Sequence, residues 1–229
     1  MSKVSAGSYD LNSWLFGGYE CDIITTLYGS AGSGKTNWCL LAAVSQAKKG
    51  SRVLYIDTEG GFSIERVKQI AGEEYKKVIQ NIVLLKPTNF DEQKEAFREL
   101  LKQVTKDHLG LIVVDGMTML YRLDFGVARE KDRDEVQKIN AELARQMRTL
   151  AEIARKHGIP VLVTNQVYQW DNGDRMVAGD ILKYWSKCLI ELTNDNGKRT
   201  AFLRKHRSLP EKKIDFQIVN EGVKKRGWL

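Results

Sequence analysis

Short runs of β-branched and aliphatic residues alternate along most of this chain with longer stretches whose apolar positions recur every third or fourth residue. Ile23 to Tyr28, Arg52 to Asp57, Asn81 to Lys86, Leu109 to Asp115 and Val161 to Thr164 are such runs, and each reads as a buried strand. Between them, Asn37 to Lys49 reads as a helix ended by Gly50, and Ser63, with Glu65 and Arg66 behind it, starts another. Asp91 to Lys106 puts Phe97, Leu100, Leu101 and Val104 on one face, and Glu135 to His157 carries a stripe of Val136, Ile139, Leu143, Met147, Leu150 and Ala154. Asp132 and Glu135 suit a capping box at the start of that helix, and Gly158 with Pro160 stops it. A shorter helix, Ser8 to Phe16, is ended by Gly17 and Gly18.

Two stretches interrupt the alternation. Tyr121 to Asp134 is polar and mixed in charge, Val167 to Gly179 is polar with scattered aromatics, and both are expected to be loops. After a short helical piece around Ile181 to Trp185, three strands follow at close spacing: Lys187 to Thr193, Arg199 to Arg207 and Lys213 to Asn220. The first turn between them carries Asn194, Asp195, Asn196 and Gly197, a hairpin signal. The pattern therefore predicts an α/β fold: a mainly parallel twisted sheet flanked by helices, with C-terminal antiparallel strands along one edge.

Composition narrows this picture. The chain has 229 residues, three prolines, and no linker tract, repeat or low-complexity run, so one domain over 1–229 is expected. Cys21, Cys39 and Cys188 are odd in number and lack metal-type spacing, which suits reduced thiols in a cytoplasmic protein. No apolar run approaches a membrane span, and Met1 to Asp10 has no signal-peptide core, so no membrane partner is expected. The formal charge is +7, and the stretch 196–229 holds ten Lys/Arg against three Asp/Glu. A basic C-terminal segment suits nucleic acid, and it suits a solvated charged surface equally well.

The chemistry is concentrated in GSAGSGKT, Gly29 to Thr36, which fits the phosphate-loop pattern G-x-x-x-x-G-K-S/T and stands between a strand and a helix. Gly29, Ser30, Ala31, Gly32, Ser33 and Gly34 are small enough for backbone N–H groups to close on a polyphosphate. Lys35 is placed to bridge the β- and γ-phosphates, Thr36 to offer its hydroxyl to Mg²⁺, and Asn37 to continue the helix whose N-terminus favours anions. Leu109 to Asp115 resembles a Walker B strand, with Asp115 at its carboxyl end next to the metal.

Taken in order, GSAGSGKT, IDTEGGF, LIVVD and VTNQV resemble the RecA-superfamily ATPase core, specifically that of the archaeal recombinases, and the similarity covers essentially the whole chain. The full archaeal recombinase carries an additional N-terminal helical domain and a linker with a polymerisation motif. Here the core begins almost at Met1, so the resemblance points to the short paralogues. It implies ATP and Mg²⁺ as ligands, slow hydrolysis, binding to DNA, preferably single-stranded, and assistance to the main archaeal recombinase, with self-association open.

By motif position, Glu59 resembles the glutamate that orients or deprotonates the attacking water, and Gln166 the glutamine that senses the γ-phosphate. Lys205 and Arg207 resemble the Lys-x-Arg pair that related ATPases insert across a subunit interface, although a basic edge strand would look the same. Tyr168, Trp170 and Arg175 in the second polar stretch, and Arg122 in the first, are the candidate DNA contacts, opposed by Asp171, Asp174 and Asp180. Ser63 stands where the recombinases commonly carry an adenine-stacking arginine. Phe125-Gly126-Val127-Ala128 has the F-x-x-A form of the docking motif in the wrong place, and reads as coincidence. Two other readings stay open: a KaiC-like oligomeric signalling ATPase without DNA dependence, for which the Lys205 and Arg207 pair speaks, and a nucleotide-binding adaptor without turnover, against which Glu59 speaks.

Overall fold

In a computed structural model the structure describes residues 2–106, 109–131, 133–170 and 173–227. The elements run β1 (Lys3–Val4), α1 (Tyr9–Trp14), β2 (Tyr19–Glu20), β3 (Ile24–Gly29), α2 (Lys35–Lys48), β4 (Arg52–Asp57), α3 (Ile64–Ala71), a single 3-10 turn at Gly72–Glu74, α4 (Tyr75–Gln80) and β5 (Ile82–Leu85). They continue through α5 (Phe90–Lys106), β6 (Leu109–Asp115), α6 (Met119–Lys131), α7 (Arg133–His157), β7 (Val161–Trp170), β8 (Gly173–Met176), α8 (Gly179–Trp185), β9 (Cys188–Asp195), β10 (Lys198–Lys205), β11 (Lys212–Val219) and β12 (Gly222–Lys225).

The main sheet has the order β12-β11-β10-β9-β3-β7-β6-β4-β5. From β9 to β5 the strands are parallel, and β9 to β12 are joined as antiparallel hairpins along one edge. Parallel strands buried on both faces need continuous apolar sequence, which is what β4 and β6 supply. The β3 strand is central, between β7 and β9, so the loop that follows it leaves the carboxyl edge in the middle of the sheet. Register then fixes its neighbours: Gly29 stands opposite Gln166 on one side and Leu192 on the other, and Asp57 opposite Asp115. At Gly29 the strands approach so closely that a Cβ would lie 2.0 Å from the Leu192 carbonyl oxygen. Only glycine fits there.

Two apolar layers cover the sheet. One is built around α2, whose Trp38, Cys39, Leu40, Leu41, Ala42, Ala43 and Val44 are all buried. A helix apolar on every side belongs inside, and α2 is enclosed by α3, α4 and the sheet, with Trp14 of α1 against it. Trp38 is its centre, meeting Trp14 edge-on at 5.9 Å and Phe216 at 5.4 Å, so the helix that presents the phosphate loop is clamped to both chain ends. Burial of each such ring is worth on the order of 2–3 kcal/mol. The opposite layer is formed by α5 and α7, with Phe97, Leu100, Leu143, Met147 and Leu150 facing Ile112, Val114 and Val163.

Several expectations are corrected by the structure. The stretch 121–134 is not a loop: α6 covers Met119–Lys131 and α7 begins at Arg133. Its apolar positions Tyr121, Phe125 and Ala128 recur with helical spacing and face inward, and the mixed charges mask that stripe in a composition reading. Of the F-x-x-A tetrapeptide, Phe125 and Ala128 thus lie on the inward face of α6, while Gly126 and Val127 are exposed. The second expected loop is a hairpin, in which β7 runs on to Trp170 and pairs antiparallel with β8 from Val167 opposite Met176. Asp132, proposed as a cap, and Asp171 lie outside the described residues. Strands β1, β2 and β12 were not expected, being only two, two and four residues long. The turn before β10 follows its signal: Asn196 and Gly197 both take positive φ between the paired Asp195 and Lys198.

Candidate nucleotide and nucleic-acid sites

The phosphate loop joins β3 to the first turn of α2, so Lys35 and Thr36 belong to the helix and its unpaired N–H groups face the loop. Lys35 is almost fully buried, and its Nζ donates to the carbonyls of Gly29 at 2.9 Å and Ser30 at 2.9 Å. Burial pushes its pKa below the ordinary lysine value, and the nearby Glu59 and Asp115 partly oppose that. A cation held by two carbonyls at the floor of a cleft is well placed to exchange them for phosphate oxygens.

Asp115, at the end of β6, accepts from Tyr55 Oη at 2.8 Å and from Thr164 Oγ1 at 2.7 Å, and Thr36 also donates to it. Burial raises its pKa above the usual carboxylate range, with those three hydrogen bonds acting against the rise. The Thr36 hydroxyl and this carboxylate are hard oxygen donors. Among the described residues no cluster of three His, Cys, Asp or Glu could hold an ion alone. Two protein oxygens completed by phosphate and water are what Mg²⁺ takes, so the residues present fit it. Bound there, Mg²⁺ would neutralise phosphate charge.

Glu59 follows β4 and reaches across the carboxyl edge, where Gln166 Nε2 donates to its Oε2 at 3.1 Å. Burial raises the Glu59 pKa, and the Gln166 hydrogen bond works against it. The segment before Glu59 is sewn to the end of β6: Thr58 N–H donates to the Asp115 carbonyl at 3.0 Å and Thr58 Oγ1 to the Gly116 carbonyl at 2.7 Å. Gly116 has φ +92°, and a Cβ there would meet Thr58 Oγ1 at 2.3 Å and Glu59 Cγ at 2.6 Å. Glycine at this point is what lets Glu59 approach the cleft.

The cleft has a volume of about 390 Å³ and is bounded by the loop, Thr36 and Asn37, with Glu59 and Gln166 at one end and Arg199 and Ile218 on a wall. The structure therefore brings together Lys35, Thr36, Asp115, Glu59 and Gln166, all proposed from sequence. Sequence reasoning missed Asp57, Tyr55, Thr164 and Arg199. Asp57 accepts from the N–H groups of Gly61 and Phe62 at 3.0 Å each, shaping the turn beyond Glu59; its place at the end of a strand is visible in RVLYID. The others have no local signal, because sheet register alone brings them in. Ser63, instead of stacking on a base, caps α3 by accepting from the Arg66 N–H at 3.2 Å.

The proposed trans-acting pair is held within its own chain. Lys205 Nζ donates to the carbonyls of Lys183 at 2.9 Å and Ser186 at 2.8 Å, while Arg207 pairs with Glu20 and with both oxygens of Asp22. In this protomer they brace β10 against α8 and β2, the structural role a basic edge allows.

A second groove, about 890 Å³, opens between α6 and the β7–β8 hairpin. Tyr28, Tyr121, Phe125 and Tyr168 line it, with Arg122, Arg129, Arg175 and Lys183 as its cations and Asp180 and Glu191 as its acids. Thus Arg122, Tyr168 and Arg175, proposed from two separate stretches, share one surface; the side chain of Trp170 is outside the described set.

Residues 1–226 match the family model described as Rad51. The chain belongs to the Rad51 family. Among curated members, it is 41% identical over 223 residues to the DNA repair and recombination protein RadB of Methanobrevibacter smithii, covering 93% of this chain and 92% of that one. It is 40% identical over 216 residues to RadB of Methanocaldococcus jannaschii, covering 93% and 98%. Its structure resembles a crystal structure of the RadB recombinase with a TM-score of 0.79 at 36% identity, over 96% of this chain and 98% of that one. Rad51-family proteins are ATPases that use ATP with Mg²⁺, and the phosphate loop of this member is intact. No described helix is long and apolar enough to cross a membrane.

Proposed function

We propose that this Rad51-family chain is an ATP-dependent DNA repair and recombination protein that binds Mg-ATP at Gly29 to Asn37, hydrolyses it slowly, and binds single-stranded DNA in the groove between α6 and the β7–β8 hairpin. The observation that carries the reading is the continuity of β7. Gln166 touches Glu59 with its side chain, and its backbone carbonyl accepts from Val177 N–H at 3.2 Å, one residue past β8. Asn165 Nδ2 donates to the Val177 carbonyl at 2.8 Å, so the hairpin is tied to the last residues before the phosphate site. A ligand that moves the hairpin moves Gln166, and a change at the γ-phosphate travels the other way; in linkage terms each ligand alters affinity for the other.

The groove suits a single strand because aromatic faces accept any base and cations track the backbone. Among the described lining residues Asp180 weakens the field, Glu191 being paired with Arg204 at 2.7 Å, so binding is modest and strongly dependent on salt. The same family implies that the main recombinase is the protein whose work this chain assists. The KaiC-like signalling reading loses its supporting feature, because Lys205 and Arg207 are engaged in cis.

Arg122 and Arg129, both exposed, give the test. Fluorescence anisotropy with a labelled oligothymidylate, taken at several salt concentrations, is expected to show several-fold weaker binding for Arg122→Ala and for Arg129→Ala. Each variant should also lower the slope of log affinity against log salt by about 1. Unchanged affinity and slope in the double variant would remove DNA from this groove.

A further inference from the structure

Among the cations on and just after β10, Arg199, Arg204, Lys205 and Arg207 have different fates. Arg204 pairs with Glu191 at 2.7 Å, Lys205 caps two carbonyls, and Arg207 is neutralised by Glu20 and Asp22. Arg199 has no such commitment. Its Nη2 makes a long 3.4 Å contact with the Gly32 carbonyl, which Asn194 Nδ2 also reaches at 3.3 Å. Its Nε is buried and has no hydrogen-bond partner. No acid pairs with it among the described residues, and its side chain forms the wall of the 390 Å³ cleft, alongside Lys35 and Thr36.

A guanidinium presents five donors in a fixed fork, and a buried donor left unmade is costly. One weak contact to a carbonyl that already has another donor does not satisfy it. What would satisfy it is an anion with several oxygens lying along the phosphate loop. The position beside Gly32, halfway along that loop, is where a polyphosphate passes.

We propose that Arg199 is a nucleotide-binding residue that donates from its own chain to the phosphate oxygens of the bound nucleotide. This rests on the reading of the cleft as the ATP site. The phosphate chain is then gripped from two directions, by Lys35 from the helix side and by Arg199 from the antiparallel extension of the sheet. Binding also gains a structural consequence: nucleotide fastens β10 to the phosphate loop, replacing a contact that is weak without it. A cation is thereby supplied to the phosphates in cis by Arg199 of β10, whereas Lys205 of the same strand and Arg207 beyond it are engaged elsewhere.

Isothermal titration of the full chain with ADP, with ATP and with adenosine, each in Mg²⁺, tests this for the wild type, Arg199→Gln and Arg199→Lys. Arg199→Gln is expected to weaken ADP and ATP by about tenfold or more, with Arg199→Lys in between, and to leave adenosine unaffected. Thermal midpoints without nucleotide should stay near wild type, because Asn194 still holds the Gly32 carbonyl. The nucleotide loss should be the same when the protein is diluted, since the contact lies within one chain. Arg199→Gln binding ADP and ATP within about twofold of wild type, losing adenosine equally, or losing affinity only at high protein concentration would each overturn the proposal. A wild-type protein that binds no ADP would instead overturn the ATP site itself.

Discussion

Lys35→Ala is expected to lower affinity for Mg-ATP by about 100- to 1000-fold while leaving the fold intact. Among the described residues that line the cleft the cations are Lys35 and Arg199, and the Lys35 ammonium stands 2.9 Å from each of two carbonyls that it would exchange for phosphate oxygens. Two charge-assisted hydrogen bonds to phosphate contribute about 3–4 kcal/mol together, which corresponds to that range of affinity. Stability follows different terms. Burial disfavours the charged form of Lys35, so its removal relieves a desolvation cost, and water in the open cleft can satisfy the Gly29 and Ser30 carbonyls. Titration calorimetry and thermal unfolding of the same sample separate the two. A variant that binds ATP normally would mean the cleft is not a phosphate site.

Glu59→Gln has the second large effect and moves a different quantity. Turnover should fall by about 10²- to 10⁴-fold, the usual contribution of a positioned general base, with ATP affinity changed by less than about threefold. Glutamine keeps an oxygen that can accept from Gln166 Nε2, so the 3.1 Å contact and the shape of the site survive, but it takes no proton from water. The pH profile adds a sign. Burial raises the Glu59 pKa, so the protonated form, which cannot act as a base, persists to higher pH than in an ordinary glutamate. Hydrolysis should therefore decline on acidification through a limb above the usual carboxylate range, and that limb should vanish in Glu59→Gln. Phosphate release measured across pH reads both. An unchanged rate would leave this chain a nucleotide-binding adaptor.

Much of the fold is legible because each level of the sequence points the same way. The parallel strands are continuous apolar runs, α2 and α7 have unambiguous patterns, and Asn196 with Gly197 names its own turn. The phosphate loop, Asp115, Glu59 and Gln166 are legible as well, since all stand at the carboxyl ends of strands that the apolar runs identify. What fails is instructive. In α6 the helical stripe of Tyr121, Phe125 and Ala128 is diluted by exposed Leu123 and Val127 and by charges of both signs, so composition suggests a loop where periodicity carries a helix. In the β7–β8 hairpin, Val167, Tyr168 and Met176 pack on the core, but polar residues between them break any apolar run, and pairing defines the strands. Arg199 illustrates a deeper limit. It comes to the cleft through antiparallel pairing of β10 with β9 and parallel pairing of β9 with β3, a relation between segments more than 160 residues apart. No local pattern encodes that. Lys205 and Arg207 show the converse: a convincing spacing whose partners, Glu20, Asp22 and two backbone carbonyls, only the fold reveals.

The phosphate site and the groove communicate through β7. The most direct measurement is steady-state ATP hydrolysis at low salt, with and without a saturating single-stranded oligonucleotide, using Lys35→Ala as the blank. Slow basal turnover should rise several-fold when DNA is added, because Gln166 and the first arm of the hairpin belong to one strand. Equal turnover with and without DNA, under conditions where anisotropy shows the oligonucleotide bound, would contradict it.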